Sequence, residues 1–225
     1  MNIAICLFGD GSKYKDIRNL LNPLGNKYYL FAHTYSEFDS RGFVATVVDM
    51  PYIIKNNEYY ADLNVNNIPK CTIEINAVHN RPGEYTDITN SMMKVNNLKK
   101  KYELRHDMIF DIVVNINFNV DCQFDIFNSI ANIDIHNYPS SAFGDYTLGY
   151  ADYKTPRFDT DFCFGSSLVM DMINNFHRYY NNGMLYQILK SDYYDAAYKN
   201  MHYKALVWKW LAIKNIVPIS HSSIL

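Results

Sequence analysis

The chain has 225 residues, 48% hydrophobic and 20% charged, enough apolar material for one sizeable core and against global disorder. Its formal net charge of -2 removes any general electrostatic pull toward nucleic acid or acidic lipid. The four cysteines, Cys6, Cys71, Cys122 and Cys163, form no C-x-x-C pair, which argues against a disulfide scaffold or zinc site and for buried free thiols in a reducing compartment.

Residues 3–8 form an uninterrupted apolar run, read as a first buried strand that breaks at the turn Gly9-Asp10-Gly11-Ser12-Lys13. Ile17, Leu20, Leu21 and Leu24 then fall at helical spacing, and Asn22-Pro23 and Gly25-Asn26 end that helix. Residues 28–35 read as a second strand, with His33-Thr34 at its carboxyl end, and 43–48 as a third. Between 51 and 85 the pattern is broken by Asn, Tyr and Pro, and only 71–75 looks strand-like. Residues 86–106 read as a helix capped by Thr89, Asn90 or Ser91. Its stripe is Val95, Leu98 and Tyr102, with Lys99, Lys100 and Lys101 beside it.

The segment 110–121 is the centre of the chain. Ile112-Val113-Val114 is β-branched throughout and predicts a buried strand. Its alternating end sends Asn115, Asn117, Asn119 and Asp121 to one side, because strand side chains repeat every two residues. A buried strand ending in oxygen-bearing side chains is where an α/β sheet usually keeps its ligand. Asn is common in this chain, so an ordinary strand end is as good a reading of Asn117 and Asn119 as a ligand site. Asp111 is read as a pairing group at the strand's start, away from any site.

Further on, 124–130 predicts a short helix, 133–137 and 141–146 weak strands, and 150–161 an acid-rich loop. A short strand over 162–164 leads into Gly165-Ser166-Ser167, which opens a helix with Leu168, Met172, Phe176 and Tyr179 on one face. A last helix over 198–213 turns Tyr203, Val207, Trp210 and Ile213 inward, and 216–219 reads as a final strand. Trp210 is expected in the core and Trp208 at the surface or under an acceptor sugar.

Common site motifs are missing. Gly9-x-Gly11 is followed by Tyr14 where the dinucleotide fingerprint needs glycine, and no G-K-[ST], H-E-x-x-H or G-x-S-x-G occurs. Dehydrogenase, P-loop NTPase, zinc-hydrolase and serine-hydrolase readings lose their support. The first eight residues are too short for a signal-peptide core and no apolar run reaches about 18 residues, so a cytoplasmic location without a membrane span is expected.

Three blocks in order carry a resemblance: Ile3 to Gly9 with Leu30-Phe31-Ala32-His33-Thr34-Tyr35; Ser91-Met92-Met93-Lys94 with Tyr102-Glu103 and 110–114; and Asp161 to Ser167 with its following helix. Together they resemble small GT-A-like nucleotide-sugar glycosyltransferase-like proteins of viruses and bacteria. The resemblance implies an α/β, GT-A-like fold: a mostly parallel sheet flanked by helices in a single domain. Its nucleotide-binding half would be 1–122 and its acceptor-side half 123–225. It also implies transfer of a sugar from a nucleoside-diphosphate donor to a glycan or other hydroxyl acceptor, in a host cytoplasm if viral.

Under that resemblance, Phe8, Gly9, Asp10, Lys13, His33, Thr34, Lys94, Asn117 and Asn119 would hold the nucleotide and its diphosphate. Asp121 and Asn119 would hold a divalent cation, manganese or magnesium, and Asp161, with Asp159 as alternate, would work on the acceptor as general base or sugar anchor. The family's basic and acidic strand-end motif reads Asn117-Phe118-Asn119 here, and its Gly-x-x-Arg reads Gly9-Asp10-Gly11-Ser12. An amide oxygen coordinates a cation without charge, and losing a cationic phosphate contact costs roughly a hundredfold in rate. The alternative is therefore a catalytically inactive domain of the same fold, acting as a binding or structural module with a second copy or a viral assembly partner. An α/β nucleotide-binding enzyme of another reaction type is a third reading.

Overall fold

The strands follow the apolar runs, and the strand order reverses at the central pair. The computed structural model describes residues 1–9, 22–24, 28–34, 52–55, 58–61, 71–75, 84–118, 120, 124–147, 156–181 and 203–223. The strands are β1 (Ile3–Gly9), β2 (Tyr28–Thr34), β3 (Tyr52–Lys55), β4 (Glu58–Ala61), β5 (Cys71–Ile75), β6 (Ile112–Asn117), β7 (Ser141–Thr147), β8 (Arg157–Gly165) and β9 (Val217–Ile219). They form one sheet in the order β3-β4-β5-β2-β1-β6-β8-β7-β9. The helices are α1 (Glu84–His106), α2 (Phe124–Asn132), α3 (Ser167–Asn174), α4 (Phe176–Asn181) and α5 (Tyr203–Ile213).

The architecture is α/β. The four central strands β5, β2, β1 and β6 run parallel, while β4 and β8 lie antiparallel to the parallel block on either side. Both faces of the centre are covered, so its strands need apolar residues on both sides. Ile3, Ile5 and Leu7 join Ile112, Val114 and Ile116 beneath α2, with Ile126, Phe127 and Ile130. Ala4, Cys6, Phe8 and Val113 face α1, α3 and α5, with Val95, Val169, Met170, Leu206 and Trp210.

The strand expectations for 3–8, 28–35, 71–75, 141–146 and 216–219 and the helices at 124–130 and 198–213 correspond to observed elements, with shifted ends. The third strand at 43–48, and the helix over 14–24 apart from a 3-10 turn at Asn22–Leu24, lie outside the described residues. The hairpin of β3 and β4 falls inside the stretch whose pattern was broken.

Other expectations are corrected. Helix α1 begins at Glu84, so Thr89, Asn90 and Ser91 lie inside it and cap nothing. Residues Ile135–Asn137 form a 3-10 turn started by Asp134, whose carboxylate accepts from the His136 N–H, rather than a strand. The acid-rich segment is not a loop throughout: from Arg157 it is strand, which fixes Asp159 and Asp161 in a sheet. Of the predicted face Phe176 is buried and Met172 and Tyr179 pack against the core, but Leu168 is exposed, and the buried apolar residues of α3 are Val169, Met170 and Ile173. Ile213 is exposed at the end of α5, although Tyr203, Val207 and Trp210 are buried as expected. Trp208 is half-buried against Tyr146, with ring centroids 5.5 Å apart.

Lys99 is the largest departure. Its side chain is wholly buried, where the helix pattern put it at the edge of the stripe.

Candidate functional site

In an open parallel sheet the chain order reverses where successive strands leave opposite sides of a common neighbour, and ligands bind outside the carboxyl ends there. Here the chain moves from β1 to β2 and β5 on one side, then to β6 on the other. Register brings the carboxyl ends together: Phe8 pairs with both His33 and Asn117, and Gly9 with Thr34.

Gly9 has φ +107°, a conformation that disfavours side chains. A Cβ at Gly9 would lie 2.7 Å from Asn117 Oδ1, so glycine also admits the Asn117 amide over the strand end. That amide donates from Nδ2 to Asp161 Oδ1 at 2.9 Å. Tyr203 OH lies 3.4 Å from the same oxygen, and Lys204 Nζ donates to Asp161 Oδ2 at 2.5 Å and to Asp159 Oδ1 at 2.7 Å. Asp159 and Asp161 are alternate residues of β8, so their side chains share a face and one ammonium reaches both.

Burial disfavours the charge on Lys204, but Asp161 and Asp159 outweigh it and raise its pKa. Burial, and then the Asp161 charge, push the Tyr203 phenol up, which keeps it a protonated donor. Cys163 lies below this cluster, fully buried, its thiol pushed well up first by burial and then by Asp159 and Asp161. Cys6 is likewise pushed up to about 12 by burial, so both thiols are inert core groups.

The β2 side of the crevice is organised by Ser91 of α1. Its Oγ accepts from the Gly9 N–H at 3.0 Å, donates to the His33 carbonyl at 3.0 Å, and lies 2.8 Å from His33 Nδ1. One hydroxyl proton cannot serve both His33 atoms, so the arrangement is satisfied when Nδ1 carries the proton and donates to Ser91. Burial, with a smaller contribution from Lys94, lowers the His33 pKa to about 3, so the ring is neutral near pH 7. Lys94 has the same effect on His177, after burial, and His177 Nδ1 lies 2.7 Å from Thr89 Oγ1.

The structure thus brings together Gly9, His33, Lys94, Asn117, Asp159 and Asp161 at one end of the sheet. Phe8 reaches the same end of β1, but its side chain is core and its carbonyl accepts from the Phe118 N–H at 2.9 Å. Thr34 is placed by its backbone in β2. Asp10, Lys13, Asn119 and Asp121 lie outside the described residues. Asp111 sits at the opposite end of β6, where its carboxylate accepts from the Asn2 N–H at 2.6 Å.

Ser91, Tyr203 and Lys204 were not anticipated as site residues. Ser91 was read as a cap candidate and as part of the second block, Tyr203 as an inward helix residue, and Lys204 carried no signal; their role comes from tertiary placement.

Asp121 and Asn119, which the resemblance assigns to a divalent cation, both lie outside the described residues. Among the described residues no three His, Cys, Asp or Glu side chains converge as a cage. At this end of the sheet two carboxylates, Asp159 and Asp161, are bridged by one ammonium. Among the described residues no helix is long and apolar enough to cross a membrane. No family model matches the chain, and no curated protein matches it.

Proposed function

We propose that the chain is a GT-A-like glycosyltransferase that moves a sugar from a nucleoside-diphosphate sugar to a glycan or other hydroxyl acceptor. The observation that carries this reading is the meeting of Gly9, Asn117 and Asp161 at the reversal of strand order between β1 and β6. The parallel centre of the sheet and the order of the three sequence blocks support it. Fold-level likeness alone does not fix a reaction, so the assignment rests on the crevice and on its test.

On this reading the donor lies across the carboxyl ends of β1 and β6. Lys94 supplies positive charge on the β2 side, and the neutral His33 offers a hydrogen bond rather than charge. Asp161 holds a sugar or acceptor hydroxyl, its oxygens aimed by Asn117, Tyr203 and Lys204. To serve as a base for the acceptor, Asp161 must first loosen its contact with Lys204. Base catalysis of this kind contributes roughly 10²–10⁴-fold.

A second reading has its own observation. Asp161 already accepts from Asn117 and Lys204 with Tyr203 beside it, which suits a closed structural network in a catalytically inactive binding module. Thermal unfolding against UDP-, GDP-, CMP- and dTDP-sugars, followed by assay of released nucleotide, separates the two. A transferase is expected to gain about 2.7 kcal/mol at a hundredfold excess of its donor over Kd, and to release nucleotide when acceptor is added. A donor that binds without turnover on any glycan supports the inactive module. No stabilisation by any donor contradicts the transferase.

A further inference from the structure

We propose that Lys204 is the tethered cation of this site, occupying the place between Asp159 and Asp161 that a divalent ion would take and keeping that pair free of metal. The inference deepens the donor-site reading and rests on it only for its consequence in catalysis; the cation claim itself stands on geometry. Nζ lies 2.7 Å from Asp159 Oδ1 and 2.5 Å from Asp161 Oδ2, so a single charge satisfies one oxygen of each carboxylate.

The surroundings fix that arrangement. Asp161 Oδ1 is held by Asn117, with Tyr203 OH nearby, so the carboxylate is not free to turn both oxygens toward an ion. Lys204 stands at the start of α5 beside Tyr203, whose ring is buried in the core, so the stem is anchored. The lysine side chain is only 20% exposed. A divalent ion at carboxylate distance would face this ammonium at close range with little water between them, and like charges so placed repel strongly. Small divalent ions also require several oxygen ligands, and of these two carboxylates Asp161 has both oxygens engaged by nitrogen and Asp159 has its Oδ1 so engaged.

Two consequences follow. Donor binding at this crevice does not need metal at the Asp159–Asp161 pair. Removing the lysine's charge exposes two carboxylates on one strand face, and the pair then takes up a divalent ion.

The test is manganese binding to the full chain, read by the loss of the free-ion electron paramagnetic resonance signal, in wild type, K204M and K204M/D161N. The expected result is at least tenfold tighter manganese binding by K204M than by wild type, and loss of that gain in K204M/D161N. A neutral residue that acted only in packing would not produce this gain. If K204M does not fold, K204Q keeps a polar donor without the charge, on a shorter stem, and is read in the same way. Wild-type binding that survives D159N/D161N lies elsewhere and agrees with a metal-free pair. Wild-type manganese binding that D161N abolishes, or a folded K204M or K204Q with no gain, overturns the proposal. Because manganese is measured without donor, that failure is distinct from a failure of donor binding.

Discussion

Two lysines of this protein each bridge two carboxylates, at different depths. Lys99 of α1 is wholly buried, with Asp171 at 2.9 Å, Glu103 at 3.2 Å and Ser167 Oγ at 2.6 Å. Ser167 in turn donates to Glu103 at 2.9 Å, and Glu103 accepts from the Phe110 N–H at 3.1 Å. That cluster ties α1 to α3 and to the segment entering β6, with its acids turned toward structural donors. The Lys204 cluster stands at the rim of the sheet, with Asp159 41% exposed, and opens toward the crevice. The same ion-pair chemistry is a clamp where solvent is excluded. Where solvent has access, it stands at the proposed donor site.

Breaking the clamp is expected to have the largest effect. Lys99→Ala leaves Glu103 partly buried without its cation and Asp171 with only the more exposed Lys100, 3.0 Å away, and is expected to cost about 3 kcal/mol, read from the urea midpoint. Neutralising all three residues together with groups of similar size is expected to restore most of that loss, because desolvation of the charges is then removed as well.

Gly9→Ala comes next, at about 1–3 kcal/mol for strain at φ +107°, plus the contact with Asn117 Oδ1. In an Asn117→Ala background the same change is expected to cost less, since only the backbone strain remains. A double-mutant cycle with no coupling would contradict the close approach of these two residues.

The histidine of the crevice sharpens the contrast through pH. His33 titrates near 6.5 when unfolded and is lowered to about 3 in the fold, so between these values the unfolded chain binds the extra proton. Its contribution to stability is complete above pH 6.5 and is lost as pH falls toward 3. His177, also lowered, acts in the same sense. His33→Gln is expected to flatten the acid limb of a stability–pH curve; an unchanged limb would show that His33 is not held neutral.

Lys204→Ala is expected to be the mildest, at about 1 kcal/mol, because its partners are partly solvated. A loss as large as that of Lys99→Ala would place it with the clamp rather than the site.

The sequence made the sheet legible where one residue type ran unbroken. The apolar runs of β1 and β6 announced buried strands, and the alternation after Val114 announced polar groups at the carboxyl end of β6. Those groups were only half understood. Asn115 turned out to be paired with Asn174 at 2.6 Å in the core, whereas Asn117 reaches the crevice, and period-two alternation does not distinguish the two. Asp159 and Asp161 looked like loop acids because 150–161 is dense in charge, yet from Arg157 charged residues alternate with others as a half-buried strand requires. Lys99 was misplaced because helical periodicity sees an amphipathic stripe and not the Asp171 carboxylate and Ser167 hydroxyl that another helix brings to it. Lys204 was invisible for the same reason: its two partners lie more than forty positions away in sequence.

The most direct test of the donor crevice is calorimetric titration of the stabilising nucleotide sugar into wild type, Asn117→Ala and Asp111→Asn. The two substitutions sit at opposite ends of β6. The account predicts that Asn117→Ala weakens binding at least about tenfold, equivalent to about 1.4 kcal/mol, while Asp111→Asn leaves it within about twofold. Equal affinity of wild type and Asn117→Ala, or a larger loss at Asp111, would contradict a donor site at the carboxyl ends of β1 and β6.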